Sequence, residues 1–508
     1  MRMRNRFSSL ALIFLQAGSF ILFALLSVAA FLRFSYVETN YNGIVLYKTD
    51  SFFMNLIFLA LMLLVLYLIA KWVERGKERA KKILLVGVCL FIFSLSLGWN
   101  LVSKVVPFAD QYTVYEIGKS FSMGYYEGIS ADGYLSVYPH QIGLVAFYEL
   151  VFRLLHFDSY RVIACMNSVF ATICVFCGFQ MTEHMFRNQR VSTYYLLLVT
   201  VCFPFLFYTA LVYGEIPSFA FLFFGGWMLL KHMDTNRPVS AVLAVLSLGG
   251  AVLLRKNSLI FVIACVLILL VQGIQSKKRS LFLLAFTIAL ISFSVLPLTQ
   301  SYYENKTGST LGEGTPAVAF IAMGLQNNST LGPGMYNGYN YETYVNNGYN
   351  AKITSQLAVE SIKSSVQSFA ADPVSIYEFF RDKFALQWTE GSFSCFQLSV
   401  NHYGTASVLE NIYYGKLHEK LVAFMNYYQF VIYAGGLIFC VLAFFDRKKN
   451  NIAKNNLGSY LPMAAILGGV IVFTFWEAAP RYVFPYFFLA IPYASAGLEG
   501  ITRKVTGK

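Results

Sequence analysis

The sequence predicts an all-α polytopic membrane protein, and its composition and the length of its apolar runs are the observations that predict it. Of all residues, 57% are hydrophobic and only 13% are charged, and the mean hydropathy is +0.56. Apolar runs of about 18–25 residues recur along the chain, which is the length that an α-helix needs to cross a bilayer. The alternative, a large soluble helical protein, needs far more charge on its surface.

About twelve apolar segments are predicted to span the membrane. The first of them is too long, and is followed by too many others, to be a cleaved signal peptide. The segments are 10–34, 52–73, 83–105, 161–185, 192–212, 215–232, 238–254, 257–275, 281–300, 427–445, 457–476 and 482–500.

The distribution of basic residues predicts the topology. Lysine and arginine concentrate in short loops, and loops of this kind are cytoplasmic in most membrane proteins. Counting spans from either terminus places both termini inside and the stretches 106–139 and 301–426 outside. The net charge of +13 follows from these loops, and no basic stripe with interleaved aromatic residues predicts nucleic-acid binding. The basic loops are 71–82, 187–190, 277–279, 447–454 and 503–508.

Segment 141–157 is predicted to lie along or partly within the outer leaflet. An outer Tyr138 and an inner Arg187 require an odd number of crossings between them, yet two apolar runs lie there, 141–157 and 161–185. The shorter run is interrupted by Glu149 and Arg153, and we therefore expect it not to span.

The spans and loops divide the chain into four regions. Residues 301–426 are rich in glycine, asparagine, serine and tyrosine, which indicates loops outside the membrane, and amphipathic patterning in 350–390 predicts short helices there. A connection of this length is usually functional. The regions are a two-helix extension at 1–82, a transmembrane core at 83–300 with its outer loop at 106–139, the extracytoplasmic region 301–426, and C-terminal helices at 427–508.

The few charged residues at the ends of apolar segments all fall on the predicted outer side. Ionisable groups at membrane depth are costly and mark functional sites. Both signs of charge on one face predict a site that holds an anionic, lipid-borne substrate and performs acid–base chemistry on a second substrate. The residues are Asp110, Glu215, Arg255, Lys256, Glu477 and Arg481.

Two of the carboxylates each have two readings. Asp110 follows the third span, where it is either a general base or the N-cap of a helix over 111–122, since aspartate is a favoured cap. Glu215 opens its own span, where it is either a partner of the helix dipole or a second carboxylate of the site.

The remaining polar residues suggest binding roles. His140 and Gln141 open an apolar run and add donors beside backbone N–H groups that favour an anion. The adjacent cations Arg255 and Lys256 contradict the positive-inside trend, and a phosphate would offset their cost. Glu477 and Arg481 close the last outer turn with the spacing of a local ion pair. We expect this pair, with Tyr138 and Tyr482, to contact substrate.

The cysteines do not predict a metal site or a disulfide framework. Seven of the eight lie in apolar segments, where cysteine behaves as a small hydrophobic residue. Cys174 and Cys177 have the spacing of a metal or redox motif, but they lie in mid-helix without a second pair. We expect no cofactor, and a divalent metal is not supported by the sequence.

These residues resemble the GT-C superfamily, whose members transfer sugars from polyprenyl phosphates and include protein O-mannosyltransferases and aminoarabinose transferases of lipid A. Segments 323–325 and 388–391 look like those of Gram-positive bacterial relatives. A single Asp110 replaces adjacent carboxylates, His140 replaces a second proline, and two spans precede residue 83. The matching residues are Asp110, Tyr138-Pro139-His140, Glu215, and Arg481-Tyr482 with Pro485.

The resemblance implies a bacterial plasma-membrane glycosyltransferase with an extracytoplasmic active site. It would move a sugar from a polyprenyl-phosphate donor to a hydroxyl on a glycan, lipid or protein. Asp110 would be the base, Arg255, Lys256 and Arg481 would stabilise the phosphate, and Glu215 and His140 would position substrate. The alternatives are a transporter or flippase of a lipid-linked sugar, and a non-catalytic membrane component of polysaccharide assembly.

Overall fold

The computed structural model describes residues 2–37, 44–103, 105–328, 331–399, 408–445 and 457–506, with side chains from residue 10 onward except at residue 77. Within these ranges the chain is almost wholly α-helical, with one two-stranded sheet. The predicted all-α class is therefore confirmed. The predicted basic loop 447–454 lies outside the described residues.

An unpredicted hairpin joins the first two long helices. Strands β1 (Arg33–Val37) and β2 (Val45–Thr49) pair antiparallel between the predicted spans 10–34 and 52–73, where the sequence predicted no strand. The hairpin docks on a later helix, because Arg33 forms an ion pair of 3.0 Å with Asp382. Helices α1 (Arg2–Leu32) and α2 (Phe52–Arg75) flank it.

The described residues of 77–155 form four helices and a 3₁₀ turn. A single residue, Gly76, separates α2 from α3, so the predicted inner loop 74–82 is mostly helical. Helix α6 has 14 residues and is about 21 Å long, shorter than the hydrocarbon core of about 30 Å. The elements are α3 (Lys77–Val102), α4 (Asp110–Ser122), α5 (Tyr134–Val137), a 3₁₀ turn (Pro139–Gln141) and α6 (Ile142–Leu155).

The central helices follow the predicted apolar segments with one break. The predicted span 192–212 is two helices, because the chain turns at Val201 and Cys202 and Pro204 starts a new helical turn. The helices are α7 (Tyr160–Phe186), α8 (Gln189–Thr200), α9 (Phe203–Tyr208), α10 (Glu215–Thr235), α11 (Pro238–Leu254), α12 (Leu259–Ser276) and α13 (Arg279–Thr307).

The region 301–426 contains more helix than loop. The long α13 extends into it from one side and α20 from the other, because both helices continue beyond their apolar segments. The helices of this region are α14 (Ala317–Gly324), α15 (Tyr339–Asn346), α16 (Ala351–Ala371), α17 (Pro373–Trp388), α18 (Cys395–Ser399), α19 (Val408–Tyr413) and the start of α20 (Lys416–Phe445). Helices α21 (Leu461–Phe475) and α22 (Pro480–Thr506) follow it.

Eight helices in the described part of the chain are long and apolar enough to cross a membrane. They coincide with eight of the predicted spans. The other four are shorter or less apolar helices, and the total of twelve stays a prediction. These four segments are 192–212, 215–232, 238–254 and 482–500.

The core lies where α22 packs among α9, α10 and α20. Phe484 stacks on Tyr208 with ring centroids 4.6 Å apart, and Phe488 stacks on Phe205 at 4.6 Å. Aromatic pairs of this kind add to the energy of simple burial. Phe484 also lies 5.6 Å from Phe219 of α10, measured between ring centroids, so the first turns of α22 and α10 pack beside each other.

Candidate active site

Asp110 is the first residue of α4, and its side chain does not cap that helix. The N-cap residue is Ala109, whose φ of 49° is rare for a residue with a side chain. The Asp110 carboxylate instead accepts a hydrogen bond of 3.0 Å from the hydroxyl of Tyr213. The N-cap reading of Asp110 is therefore wrong, because its carboxylate points to another element.

Tyr213 connects the acidic and basic halves of the site. It is buried in the loop before α10, and its hydroxyl accepts a hydrogen bond of 3.1 Å from the side-chain amide of Gln141. The guanidinium carbon of Arg255 lies 4.4 Å from the centre of the Tyr213 ring, and that of Arg481 lies 5.5 Å away. Both distances fit cation–π attraction.

Arg255 is paired with Glu215. The Arg255 Nη2 atom lies 3.1 Å from Glu215 Oε1, and the two side chains are 14% and 8% exposed. The other oxygen, Glu215 Oε2, is buried and accepts no hydrogen bond from the described residues. Arg255, which was predicted to bind a phosphate together with Lys256, is thus already paired with a carboxylate. Glu215 both opens α10 and belongs to the site, so its two readings are compatible.

Glycine is required immediately before Glu215. Gly214 has a φ of +82°, and an added Cβ would lie 2.9 Å from a side-chain carbon of Leu144. Glycine alone adopts this conformation at little cost. The sharp turn at Gly214 lets Tyr213 and Glu215 both face the site.

Lys256 and His140 complete the basic side. Lys256 is exposed and forms no ion pair with the residues that the structure describes. His140 lies near both cations, and burial, Lys256 and Arg255, in that order, lower the pKa of its imidazole to about 3. His140 is therefore neutral at physiological pH and can bind substrate only through hydrogen bonds.

Glu477 and Arg481 are joined through a tyrosine and not by the predicted direct pair. The hydroxyl of Tyr482 accepts from Arg481 Nη2 at 3.3 Å and donates to Glu477 Oε1 at 3.3 Å. Burial raises the pKa of Glu477 to about 7, an effect that Arg481 partly offsets and that Asp110 reinforces. Near neutral pH this carboxyl therefore exchanges a proton readily.

A narrow cleft lies beside Glu215, Arg255, Arg481 and Tyr482. Its polar lining consists of residues at the start of α10 and of α22 and of the turn between α11 and α12. Its apolar lining lies one to three turns further along the same helices. The lining residues are Glu215, Ser218, Arg255, Asn257, Ser258, Arg481 and Tyr482 on the polar side, and Phe219, Leu222, Phe261, Pro485, Tyr486 and Leu489 on the apolar side.

Tyr138 lies at the edge of the site. Its ring centroid is 6.2 Å from that of His140, and burial is the largest cause of the raised pKa of its hydroxyl, followed by the electrostatic influence of Tyr336. Sequence reasoning missed Tyr213, Tyr336 and Lys383. The position of Tyr213, directly before Gly214 and Glu215, was the available signal for the first of them.

No group of three or more histidine, cysteine, aspartate or glutamate side chains in the described ranges could hold a metal ion. The predicted site residues are drawn from five parts of the chain, and contacts with Tyr213, contacts with Tyr482 and the ion pair between Arg255 and Glu215 link seven of them. These seven are Asp110, Gln141, Glu215, Arg255, Glu477, Arg481 and Tyr482.

Comparison with known proteins adds an independent observation. No curated protein matches the chain significantly. Residues 140–297 match the family model described as dolichyl-phosphate-mannose-protein mannosyltransferase. The matched residues include His140, Glu215 and Arg255, but neither Asp110 nor Arg481. This part of the chain is therefore similar to membrane glycosyltransferases that use a lipid-linked sugar.

Proposed function

We propose that this protein is an integral-membrane glycosyltransferase that moves a sugar from a polyprenyl-phosphate donor to an acceptor hydroxyl. One observation carries the proposal. The Asp110 carboxylate and the Arg255 and Arg481 guanidinium groups all contact the same tyrosine, Tyr213. The Tyr213 side chain thus lies between a proton acceptor, Asp110, and two cations, Arg255 and Arg481. A hydroxyl that displaces a phosphate needs both: a base to accept its proton and positive charge to stabilise the leaving phosphate.

The cleft supports a lipid-linked donor. Its charged end offers two buried guanidinium groups to a phosphate, and arginine binds phosphate with paired hydrogen bonds. Its apolar walls, such as Phe219 and Leu489, suit the first isoprene units of a lipid. On donor binding, the phosphate would compete with Glu215 for Arg255. The Glu215 carboxylate, once released, would accept hydrogen bonds from the sugar.

The proposed reaction is a single displacement at the anomeric carbon. The acceptor oxygen forms a bond to this carbon while its proton passes to Asp110. The bond between the anomeric carbon and the phosphate oxygen breaks, and its electron pair leaves with the polyprenyl phosphate. Arg255 and Arg481 stabilise the negative charge that develops on the leaving phosphate, in a site whose groups are already oriented.

The substrates and location follow from weaker observations. The family name supports mannose as the first sugar to test, and the acceptor is a hydroxyl on a glycan, a lipid or a protein. The basic loops support a plasma-membrane location with the site on the extracytoplasmic face. A transporter or flippase of a lipid-linked sugar has the same charges, but it needs no general base.

The test is Asp110→Asn in the purified full-length protein in lipid nanodiscs. The substrate is synthetic polyprenyl-phosphate mannose, offered with a serine/threonine peptide, a glycan or a glycolipid, and the readout is release of polyprenyl phosphate. Loss of the base should lower the rate by about 10²–10⁴-fold while donor binding persists. Asp132→Asn is the matched control, because Asp132 is an exposed carboxylate in the same outer stretch. Near-normal transfer by Asp110→Asn would reject Asp110 as the base.

A further inference from the structure

Lys383 is a buried lysine whose environment is unusual. It lies on α17, and only 1% of its surface is exposed. Its ammonium group donates a hydrogen bond of 2.8 Å to the carbonyl oxygen of Trp476 and another to the carbonyl oxygen of Gly324. It forms no ion pair with the residues described. Burying an unpaired ammonium group is costly, and such groups concentrate at functional sites.

Three segments of the chain meet at this ammonium group. Besides the carbonyl groups of Gly324 and Trp476, the backbone of Gly334 is close, since an added Cβ there would lie 2.9 Å from Lys383 Nζ. The N–H of Ala478 donates a hydrogen bond of 2.7 Å to the carbonyl oxygen of Gly334. Lys383 therefore joins the segment 324–335 to the turn 476–478.

Both joined segments lead into the active site. The turn 476–478 carries Glu477 and continues directly into the first turn of α22, where Arg481 lies. The segment 324–335 is followed by Tyr336, whose hydroxyl is influenced electrostatically by Asp110 and Glu477. Lys383 itself does not line the cleft, so any effect on catalysis has to act through these neighbours.

We propose that Lys383 is a positioning residue of the active site, which fixes the turn carrying Glu477 and Arg481 and supplies positive charge beside Glu477. The connection that Lys383 makes between the segment 324–335 and the turn 476–478 does not depend on which reaction the site performs. The effect on turnover rests on the proposed glycosyltransferase function, and the experiments below separate the two.

The charges around Glu477 support a specific role for the ammonium group. Burial lowers the pKa of Lys383 to about 7, and the Glu477 carboxylate opposes that change. In return, Lys383 lowers the pKa of Glu477. Removing the cation should therefore raise the pKa of Glu477. The charged and titratable groups that face Glu477 are Asp110 of α4, Lys383 of α17, Arg481 and Tyr482 of α22, and the hydroxyl groups of Tyr138 and Tyr336.

The first experiment measures the pH profile of kcat/KM for Lys383→Met. The pH-dependent part of this profile that disappears in Glu477→Gln, here called the Glu477 limb, reports the titration of Glu477. In Lys383→Met we expect this limb to move to higher pH, because the Glu477 carboxylate loses a nearby positive charge that lowers its pKa. We also expect kcat/KM to fall by about tenfold or more. Lys352→Met, which removes an exposed lysine of α16, should change neither. A limb that stays in place would overturn the electrostatic role.

The second experiment measures disulfide crosslinking and does not depend on enzymatic activity. Met335 and Ala478 lie opposite each other in a parallel bridge, so Met335→Cys/Ala478→Cys should form a disulfide readily in a background without the half-buried Cys89 and Cys165. Adding Lys383→Met should slow this crosslinking several-fold. Gly334→Ala should slow it too, because its Cβ would lie 2.6 Å from the Gly324 carbonyl oxygen and 2.9 Å from Lys383 Nζ.

The two readouts distinguish the possible failures. Crosslinking that depends on Lys383 in a protein without transferase activity would reject the proposed function and support the positioning role. Crosslinking at an unchanged rate in Lys383→Met would overturn the positioning role, whatever the transferase assay shows.

Discussion

At the scale of single residues, the site is organised by tyrosines that stand between charges. Tyr213 separates Asp110 from two guanidinium groups, and Tyr482 separates Arg481 from Glu477. Direct ion pairs in these places would neutralise the groups that have to meet substrate. A phenol hydroxyl orients a carboxylate by donating a hydrogen bond to it, and it adds no charge of its own.

Most charged members of the site, together with Tyr138 and Tyr482, were predicted from the sequence, whereas Tyr213 was missed. Charges such as Asp110 and Arg255 stand out because charged residues are scarce in apolar segments. The chain has 34 tyrosines, and only its place directly before Gly214 and Glu215 distinguishes Tyr213 from the others. Lys383 was missed because a lysine in an amphipathic helix is normally solvated, and only the tertiary fold buries it.

Arg255 and Lys256, predicted to act together, should differ in their effect on donor binding. Arg255 is buried, paired and in contact with Tyr213, while Lys256 is exposed. Hydrogen bonds to charged groups contribute about 1.5–3 kcal/mol, so Arg255→Gln should weaken binding of polyprenyl-phosphate mannose by about tenfold or more. Lys256→Gln should weaken it much less, because no ion pair or cation–π contact joins Lys256 to the site among the described residues. Equal effects in a nanodisc binding assay would contradict this assignment.

At the scale of helices, the long apolar segments were predictable because length and hydropathy alone determine them. The breaks were not. Proline at residue 204 and the turn at Cys202 divide one apolar run into α8 and α9, although the hydropathy is continuous there. The hairpin of β1 and β2 was missed for a different reason, since its stability comes from distant contacts such as Arg33 with Asp382.

Close packing of α20 against α22 provides a test at this scale. An added Cβ at Gly497 would lie 1.9 Å from the carbonyl oxygen of Gly435, so these backbones approach as small residues allow in membrane helices. Gly497→Ala should therefore lower the free energy of unfolding by about 1–3 kcal/mol, seen as a lower melting temperature in detergent. Gly87→Ala is the matched control, because nothing lies within 4 Å of its added Cβ. A melting temperature in Gly497→Ala equal to that of the control would show that the contact is unimportant.

At the scale of the whole molecule, the two predicted sides of the membrane correspond to two groups of contacts. Residues predicted to be outside form the active site. Residues at or near the predicted inner side form ion pairs with each other, including Lys81 with Glu183 at 3.3 Å and Arg187 with Asp234 at 3.3 Å. The topology stays a prediction that labelling can test.

Labelling with a membrane-impermeant thiol reagent tests the topology in intact cells. We expect Glu127→Cys, in the predicted outer stretch 106–139, and Ser364→Cys, on α16, to react without permeabilisation. Ser280→Cys, at the start of α13 on the predicted inner side, should react only after the membrane is opened. All three positions are exposed on the protein surface, so differences in labelling will reflect the membrane and not burial. The background should lack Cys89 and Cys165, which are half-buried. Labelling of Ser280→Cys in intact cells, or protection of Glu127→Cys or Ser364→Cys, would contradict the predicted topology. A site on the cytoplasmic face would then require a donor whose sugar is presented on that side of the membrane.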